Sequence, residues 1–500
     1  MWSMGKSVCR KWLNSMDYRN LTLLQLHEAL LKGEIDPLEL TKEVLKNAKA
    51  DTNNAFEYIS EKEALEAVNE LKNKDKNNIM WGIPFVIKDN FSTKDIPTTG
   101  SSNILNDYKP VFSSEVYDRL LKAGGIPIGK TTLDELGMGG SGMTGHKGTT
   151  YNPYDKTHTH MVGGSSCGSA ALAASAVVPL AIGSDTGDSV RKPASHAGLV
   201  GFKPTWGRIS RFGLFPFATS LDHVAYFTRS VKDSAAVLEI LAGRDEKDMT
   251  SSDKPVEQYS LNINNDVKGI RIAIIDEIFD SIKDENVKHI FIGIIEELKK
   301  RGAIIKHVSL DVRLCKALFP TYFIISSSES TSNNANLDGI KFGKRCSGNT
   351  YEEIMTNSRT QGISELIRRR FIIGSYSLLK ENQQDTFIRA QKCRRLIVNA
   401  VNDILKDNDV ICLPAAPSTA PLFKQNLDRI SDEYLIADNY LVIGNFAGIP
   451  SLTLPMGMIN KMPIGIHVSG KAFDEQTVLN CSLAIEEITG LENLHVKEDN

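Results

Sequence analysis

The sequence predicts an α/β protein. Three observations point there. Short apolar runs suited to buried strands recur at 83–87, 126–128, 270–275, 304–310 and 410–413. Segments with helical spacing and capping signals lie between them. Gly and Pro punctuate the places where one pattern gives way to the other.

From the N-terminus, Thr22 and Gln25 fit a capping box ahead of Leu26, Leu30 and Leu31. Asp36-Pro37-Leu38-Glu39 then reads as an N-cap, a proline at the first helical position and an acid in the first turn. Leu40, Val44 and Leu45 supply the apolar stripe of that second helix. The strand at 83–87 ends at Lys88-Asp89-Asn90, and a helix over 114–123 leads through Gly124-Gly125 to the strand at 126–128. From 139 to 187 Gly, Ser, Thr and Ala dominate, and 169–178 within that stretch suits a helix between two Gly/Ser loops. Residues 244–268 are polar and charged, as in a linker. A strand, a helix over 284–301 and a second strand follow, then a mostly helical stretch over 364–406. Residues 445–454 return to Gly- and Pro-punctuated core, and there is no internal repeat.

Composition narrows the function classes. With 500 residues and 41% apolar content the chain can bury a large core, and length alone suggests two to four domains. Fifty-eight basic against 61 acidic side chains give a net charge of -3, which argues against a whole-chain nucleic-acid binder. Any RNA involved is expected on a partner. The seven cysteines (9, 167, 315, 346, 393, 412 and 481) include no CxxC pair, so neither a zinc site nor a redox motif is indicated. The apolar stretch at 168–183 is too short and too rich in Ala, Gly and Ser to cross a membrane. Residues 1–16 carry Lys6, Arg10 and Lys11 and no acid, without the apolar core of a secretory signal. They read as the basic or disordered start of a cytoplasmic protein, with a mitochondrial or plastid presequence as the alternative.

Three segments could carry chemistry: Lys88 at the end of an apolar strand; Gly163-Gly164-Ser165-Ser166-Cys167-Gly168-Ser169; and Gly183-Ser184-Asp185-Thr186-Gly187-Asp188-Ser189-Val190-Arg191. Taken singly, each Gly/Ser loop is more often a tight turn than a site. Gly164-x-Ser166-x-Gly168 matches a nucleophile elbow, but 156–162 is a poor strand and the motif needs one before it. A phosphate-cradling loop would need Gly-Lys-Ser/Thr, which is missing. A serine nucleophile requires a base. His158 and His160 lie in a turn-like run and His196 has no pattern of its own. A lysine can serve if burial lowers its pKa.

Together, Gly82-Ile83-Pro84, Lys88-Asp89-Asn90, Gly163-Gly164-Ser165-Ser166, Gly183-Ser184-Asp185-Thr186-Gly187-x-Ser189-x-Arg191, Gly201-Phe202-Lys203-Pro204 and Ser220-Leu221-Asp222 resemble the amidase-signature family over most of the chain. The segments 133–141 and 207–214, Asp338-Gly339-Ile340 and 369–374 are most similar to the A subunits of tRNA-dependent amidotransferases within it. The resemblance implies a central mixed β-sheet covered by helices on both faces. It further implies one domain over 17–490, with N-terminal helices at 17–75 and a peripheral insertion at about 245–400. It implies a glutaminase that hydrolyses glutamine to glutamate and ammonia for the transamidation of Glu-tRNA(Gln) or Asp-tRNA(Asn). B-type and C-type subunits would complete a heterotrimer, and a partner subunit would hold the mischarged tRNA together with ATP and Mg. No metal or cofactor is expected in this chain.

The same resemblance maps a Ser-cis-Ser-Lys triad onto Ser189 as nucleophile, Ser165 as proton bridge and Lys88 as base. The 24-residue spacing to Ser189 selects Ser165 over Ser166, and a cis peptide is implied between Gly164 and Ser165. Backbone N–H groups of Thr186, Gly187, Asp188 and Ser189 would form the oxyanion hole. Arg370 would take the substrate carboxylate, Asp438 its ammonium group, and Tyr322 would be a neighbouring contact. Arg370 also belongs to the run Arg368-Arg369-Arg370, which could simply face solvent.

The chain departs from the family pattern at Asp188, where glycine is usual, at Val162 (proline), Cys167 (Gly or Ser) and Met143 (an acid in the amidotransferase subunits). An acid beside the nucleophile could repel a developing oxyanion. The alternatives to the glutaminase are therefore a stand-alone amidase on another small amide and a catalytically impaired scaffold subunit.

Overall fold

The structure is a computed structural model that describes residues 17–424, 431 and 433–497. The basic segment 1–16 lies outside the described residues. One eleven-stranded sheet organises the chain. Its strands are β1 (Phe56–Ile59), β2 (Pro84–Lys88), β3 (Ile126–Thr131), β4 (Leu180–Asp185), β5 (Val200–Lys203), β6 (His223–Thr228), β7 (Arg271–Ile275), β8 (Ile304–Val308), β9 (Val410–Pro414), β10 (Ser451–Ile459) and β11 (Met462–Gly470). They run in the spatial order β1-β3-β2-β4-β6-β5-β10-β11-β9-β7-β8. The sheet is mixed. β3-β2-β4 and β9-β7-β8 are parallel, and the remaining neighbours are antiparallel.

Successive strand residues point to opposite faces, so burial along a whole strand reports cover on both sides. Every residue of β2, β3, β4, β5, β6, β9 and β11 is buried. Helices therefore cover both faces of the central strands. Exposed strand residues occur on the outermost β8 and at Met458 near the end of β10. The five expected strand runs all form, within a few residues of their predicted limits.

The expected helix starts are present as well. Thr22 caps α1 (Leu23–Leu31) with the reciprocal Gln25 bond, and the Asp36 carboxylate accepts from the N–H groups of Leu38 and Glu39 to open α2 (Pro37–Lys49). The Ala-rich segment becomes the buried helix α3 (Cys167–Ala174), and a shorter helix α4 (Arg191–Ala197) follows β4. Further along, α5 (Val312–Asn333) packs against α6 (Glu365–Leu378) and α7 (Arg389–Asp407). The segment 244–268, expected as a polar linker, is instead pinned to the body. Arg208 donates to the carbonyls of Lys254 and Pro255 and to the Tyr259 hydroxyl, and Tyr259 is buried. Most of its charged side chains face solvent, while backbone carbonyls and Tyr259 hold it to the body. Among the described residues no helix is long and apolar enough to cross a membrane.

Candidate active site

The parallel core places the three chemically suggestive segments side by side. β2 and β4 are neighbours and both run toward the same end of the sheet, so Lys88 and the 183–191 loop emerge together. The 163–169 segment enters α3, which packs on both strands. The Lys88 amine lies 2.7 Å from Ser165 Oγ, 3.0 Å from Ser166 Oγ and 3.0 Å from Ser184 Oγ. Its side chain is fully buried, and burial pushes its pKa down to about 8 from the ordinary 10.5, against the opposing pull of nearby acids including Asp134 and Asp185. An amine near its own pKa at neutral to mildly alkaline pH can accept a proton.

The Gly164–Ser165 peptide is cis, and Ser165 is buried. Asp134 secures this loop: its N–H donates to the Ser165 carbonyl at 3.1 Å, while its carboxylate accepts from the N–H groups of Ser141, Gly142, Met143 and Thr144. Nothing larger than glycine fits at 164. A Cβ there would stand 2.1 Å from Asp134 Oδ2. Ser189 sits on the adjoining loop, and its carbonyl accepts from the Ser166 N–H at 3.2 Å. The Ser189 hydroxyl makes no hydrogen bond among the described residues, so the Lys88–Ser165 contact is formed while the Ser165–Ser189 hydroxyl contact is not.

The 186–191 loop is held by a buried ion pair between Asp185 and Arg191, two residues of the 183–191 motif to which the sequence alone gives no role. Arg191 Nη2 donates to Asp185 Oδ1 at 2.8 Å, to the Gly187 carbonyl at 2.7 Å and to Asn445 Oδ1 at 2.6 Å. Burial alone would raise the Asp185 pKa. The Arg191 charge overrides it and holds the carboxyl well below the usual carboxylate range. Thr186 donates its hydroxyl to Asp222 Oδ1 at 2.7 Å. With these side chains fixed, the backbone N–H groups of residues 186–189 find no acceptor among the described residues. Four unengaged donors in one turn make a ready anion site.

A cavity of about 540 Å³ opens over this loop, in the range of small-molecule sites. Gly187, Asp188, Lys192, Tyr322, Arg370 and Asp438 all line it. Lys88, Ser165 and Ser189 lie beneath the lining, each at most 4% exposed. Tyr322 from α5 packs over Gly187, whose absent Cβ would stand 3.0 Å from the phenol ring. On α6 the arginine run splits by helical rotation. Arg369, which also lines the cavity, pairs with Glu365 at its exposed edge, whereas Arg370 turns inward between the rings of Phe217 and Phe323. Its buried Nη1 has no hydrogen-bond partner among the described residues. Asp438 is bound to Lys192, with Oδ1 3.2 Å from its amine.

The competing readings fare less well. Ser166 follows loop rather than strand, as the N-cap of α3, so the elbow pattern lacks its context. His158 stacks on Tyr151, and His160 is held by Asp155. His196 lines the cavity, but burial and the nearby Lys192 charge push its pKa down to about 3, so it stays neutral. The thiol of Cys167 is buried and pushed up to about 12, which leaves it unreactive. Local sequence patterns assigned no role to Asp185, Arg191, Asp222, Lys192 and Asn445. Asp185, Arg191 and Asp222 stand within the family motifs, and the four-residue spacing from Asp188 was a signal for Lys192.

The amidase family profile matches residues 39–479. The chain is 39% identical over 485 residues to the A subunit of glutamyl-tRNA(Gln) amidotransferase from Pediococcus pentosaceus, covering 96% of this chain and 99% of that protein. It is 40% identical over 483 residues to the protein of the same name from Limosilactobacillus reuteri, covering 95% and 97%. The crystal structure of the A subunit of glutamyl-tRNA(Gln) amidotransferase from Thermotoga maritima superposes with a TM-score of 0.77 at 33% identity, covering 95% of this chain and 96% of that one. The native peptide amidase of Stenotrophomonas maltophilia, 24% identical, shares the fold with a TM-score of 0.78 over 95% of this chain and 98% of that one. Family profile, sequence relatives and fold thus agree with the geometry of the buried lysine and its serines: the chain belongs to the amidase family and is an amide hydrolase of the amidase-signature type.

Proposed function

We propose that this chain is the glutaminase subunit of a tRNA-dependent amidotransferase. The observation that carries the reading is a cavity combining an inward arginine with an unpaired N–H, a carboxylate at 438 and a floor of free backbone amides above a buried lysine–serine pair. Glutamine offers a carboxylate, an ammonium group and a carboxamide, one for each feature. An arginine fork suits a carboxylate, which assigns Arg370 to that end and Asp438 to the ammonium end, with Tyr322 beside them.

In this mechanism neutral Lys88 accepts a proton from the Ser165 hydroxyl as Ser165 accepts one from Ser189. Closure of the Ser165–Ser189 gap accompanies substrate binding, as catalytic hydrogen bonds often tighten only in the complex. Ser189 Oγ attacks the carboxamide carbon, and the N–H groups of Thr186, Gly187, Asp188 and Ser189 receive the oxyanion. One such donor is typically worth about 3 kcal/mol of barrier. The proton then returns through Ser165 to the departing nitrogen, ammonia leaves, and the glutamyl ester on Ser189 is hydrolysed by water using the same relay. Ammonia passes to a B-type partner that binds the mischarged Glu-tRNA(Gln) or Asp-tRNA(Asn) with ATP and Mg, with a C-type subunit completing the heterotrimer. The relatives named as A subunits of such an enzyme support this assembly.

The engagement of Asp438 by Lys192 favours a second reading, a free-standing amidase on an amide lacking the α-amino group. Ammonia release from glutamine by the purified chain, with and without candidate partner subunits, separates the two. Glutamine turnover that rises with partners supports the glutaminase, and rapid turnover of simple aliphatic or aryl amides by the lone chain with none of glutamine defeats it.

A further inference from the structure

Asp188 places an acid on the residue whose N–H belongs to the free-amide turn. A carboxylate swung back over that turn would face the negative charge that grows there during attack, and would disfavour it. The structure does not leave the carboxylate free. Asp188 Oδ2 lies 2.8 Å from the amine of Lys192, four residues on in the first turn of α4, at the spacing that brings side chains onto one face. The same amine lies 3.2 Å from Asp438 Oδ1 and also donates to the Asp438 carbonyl. An ammonium group has three donors, and here each has an acceptor. The lysine side chain is only 9% exposed, so solvent and salt screen the pair little. Lys192 can therefore neither rotate away nor let Asp188 go without losing a bond.

We infer that Lys192 is a positioning residue for amide hydrolysis: it clamps the Asp188 carboxylate onto the helix side of the cavity and keeps it off the anion-receiving turn above Ser189. The clamp makes an acid at 188 compatible with an active site. The inference rests on the reading of Ser189 as nucleophile and of the 186–189 amides as oxyanion donors, but not on glutamine being the substrate.

The test compares the parent with Lys192→Met, Lys192→Arg and the double variant Asp188→Gly/Lys192→Met. It reads kcat and KM for glutamine, the second-order rate of Ser189 labelling by a fluorophosphonate, and the thermal midpoint. Lys192→Met is expected to lower both kcat and the labelling rate at least tenfold. Lys192→Arg should stay within threefold of the parent, and the double variant should return kcat and labelling to within threefold. Release of Asp438 should appear separately as a change in KM that Asp188→Gly does not reverse. A purely structural lysine would not be rescued by removing the acid, so a double variant as slow as Lys192→Met overturns the inference. If Lys192→Met does not fold, Lys192→Gln with and without Asp188→Gly supplies the same comparison. If glutamine is inert but labelling follows the rescue pattern, the glutaminase reading falls and the clamp stands. A parent that neither labels nor hydrolyses any amide overturns both.

Discussion

Lys88 Nζ stands 2.7 Å from Ser165 Oγ, with neither side chain more than 1% exposed. The contact couples folding to chemistry. Burying an amine disfavours its charged form, and the uncharged form is the one that can take a proton from a hydroxyl. Among the described residues no carboxylate is hydrogen-bonded to Lys88. Its neighbours are three serine hydroxyls and, at 3.4 Å, the Ser184 carbonyl, all of them uncharged and able to partner a neutral amine.

Activity should therefore track the neutral lysine. With the Lys88 pKa pushed down to about 8, kcat/KM is expected to rise with pH and level off above that value, falling about tenfold per unit below it. A pH–rate profile flat from 6 to 9 would contradict the assignment.

The same shift has a stability consequence. Because the folded pKa lies below the unfolded 10.5, the unfolded chain binds more protons between about pH 8 and 10.5, and stability contributed at this site rises with pH through that window. At pH 7 the cost is fully present. Lys88→Met should then abolish amide hydrolysis while raising folding stability by about 1–2 kcal/mol, after the loss of the hydroxyl contacts is deducted. Denaturant unfolding at pH 7 checks it, and a destabilised variant refutes the burial argument.

Ser189→Ala should remove amide hydrolysis, by at least about a thousandfold. Ser166→Ala should keep most of it, because the Ser166 hydroxyl lies 3.0 Å from Lys88 but also donates to the Ser184 carbonyl at 3.1 Å. Steady-state ammonia release ranks the two, and the reverse order would restore the nucleophile-elbow reading.

Arg370→Ala should raise KM for glutamine by roughly ten- to a hundredfold, the loss of about 1.5–3 kcal/mol from a hydrogen bond between charged groups. An amide substrate without an α-carboxylate should show no such penalty. Equal effects on both substrates would return Arg370 to a packing role between Phe217 and Phe323.

Arg191→Met leaves Asp185 buried without its cation. Breaking a buried pair in this way costs about 3–5 kcal/mol, so the thermal midpoint should drop by several degrees and Ser189 should lose its support through Gly187. An unchanged midpoint would show that Asn445 alone can hold the loop.

The elements legible in the sequence are those written in local chemistry. The Thr22–Gln25 box, the Asp36-Pro37 start and the apolar runs of β2, β3, β7, β8 and β9 declare themselves through spacing, because capping and strand burial depend on residues a few positions apart. Lys88, Ser165 and Ser189 are legible as motif positions. Their candidate roles come from resemblance, and it is folding that sets Lys88 against Ser165. Which arginine of the 368–370 run turns inward, whether 244–268 is a tether, and what fixes Lys192 in place beside Asp188 are not readable, because each depends on partners far along the chain: Phe217 for Arg370, Arg208 for Tyr259, and Asp438 for Lys192. By itself the sequence determined the element order, the family and the groups available for proton transfer. Only the tertiary structure decided the burial that lowers the lysine's pKa and the aim of the side chains around it, since desolvation and ion pairing belong to the assembled environment and to no single stretch of chain.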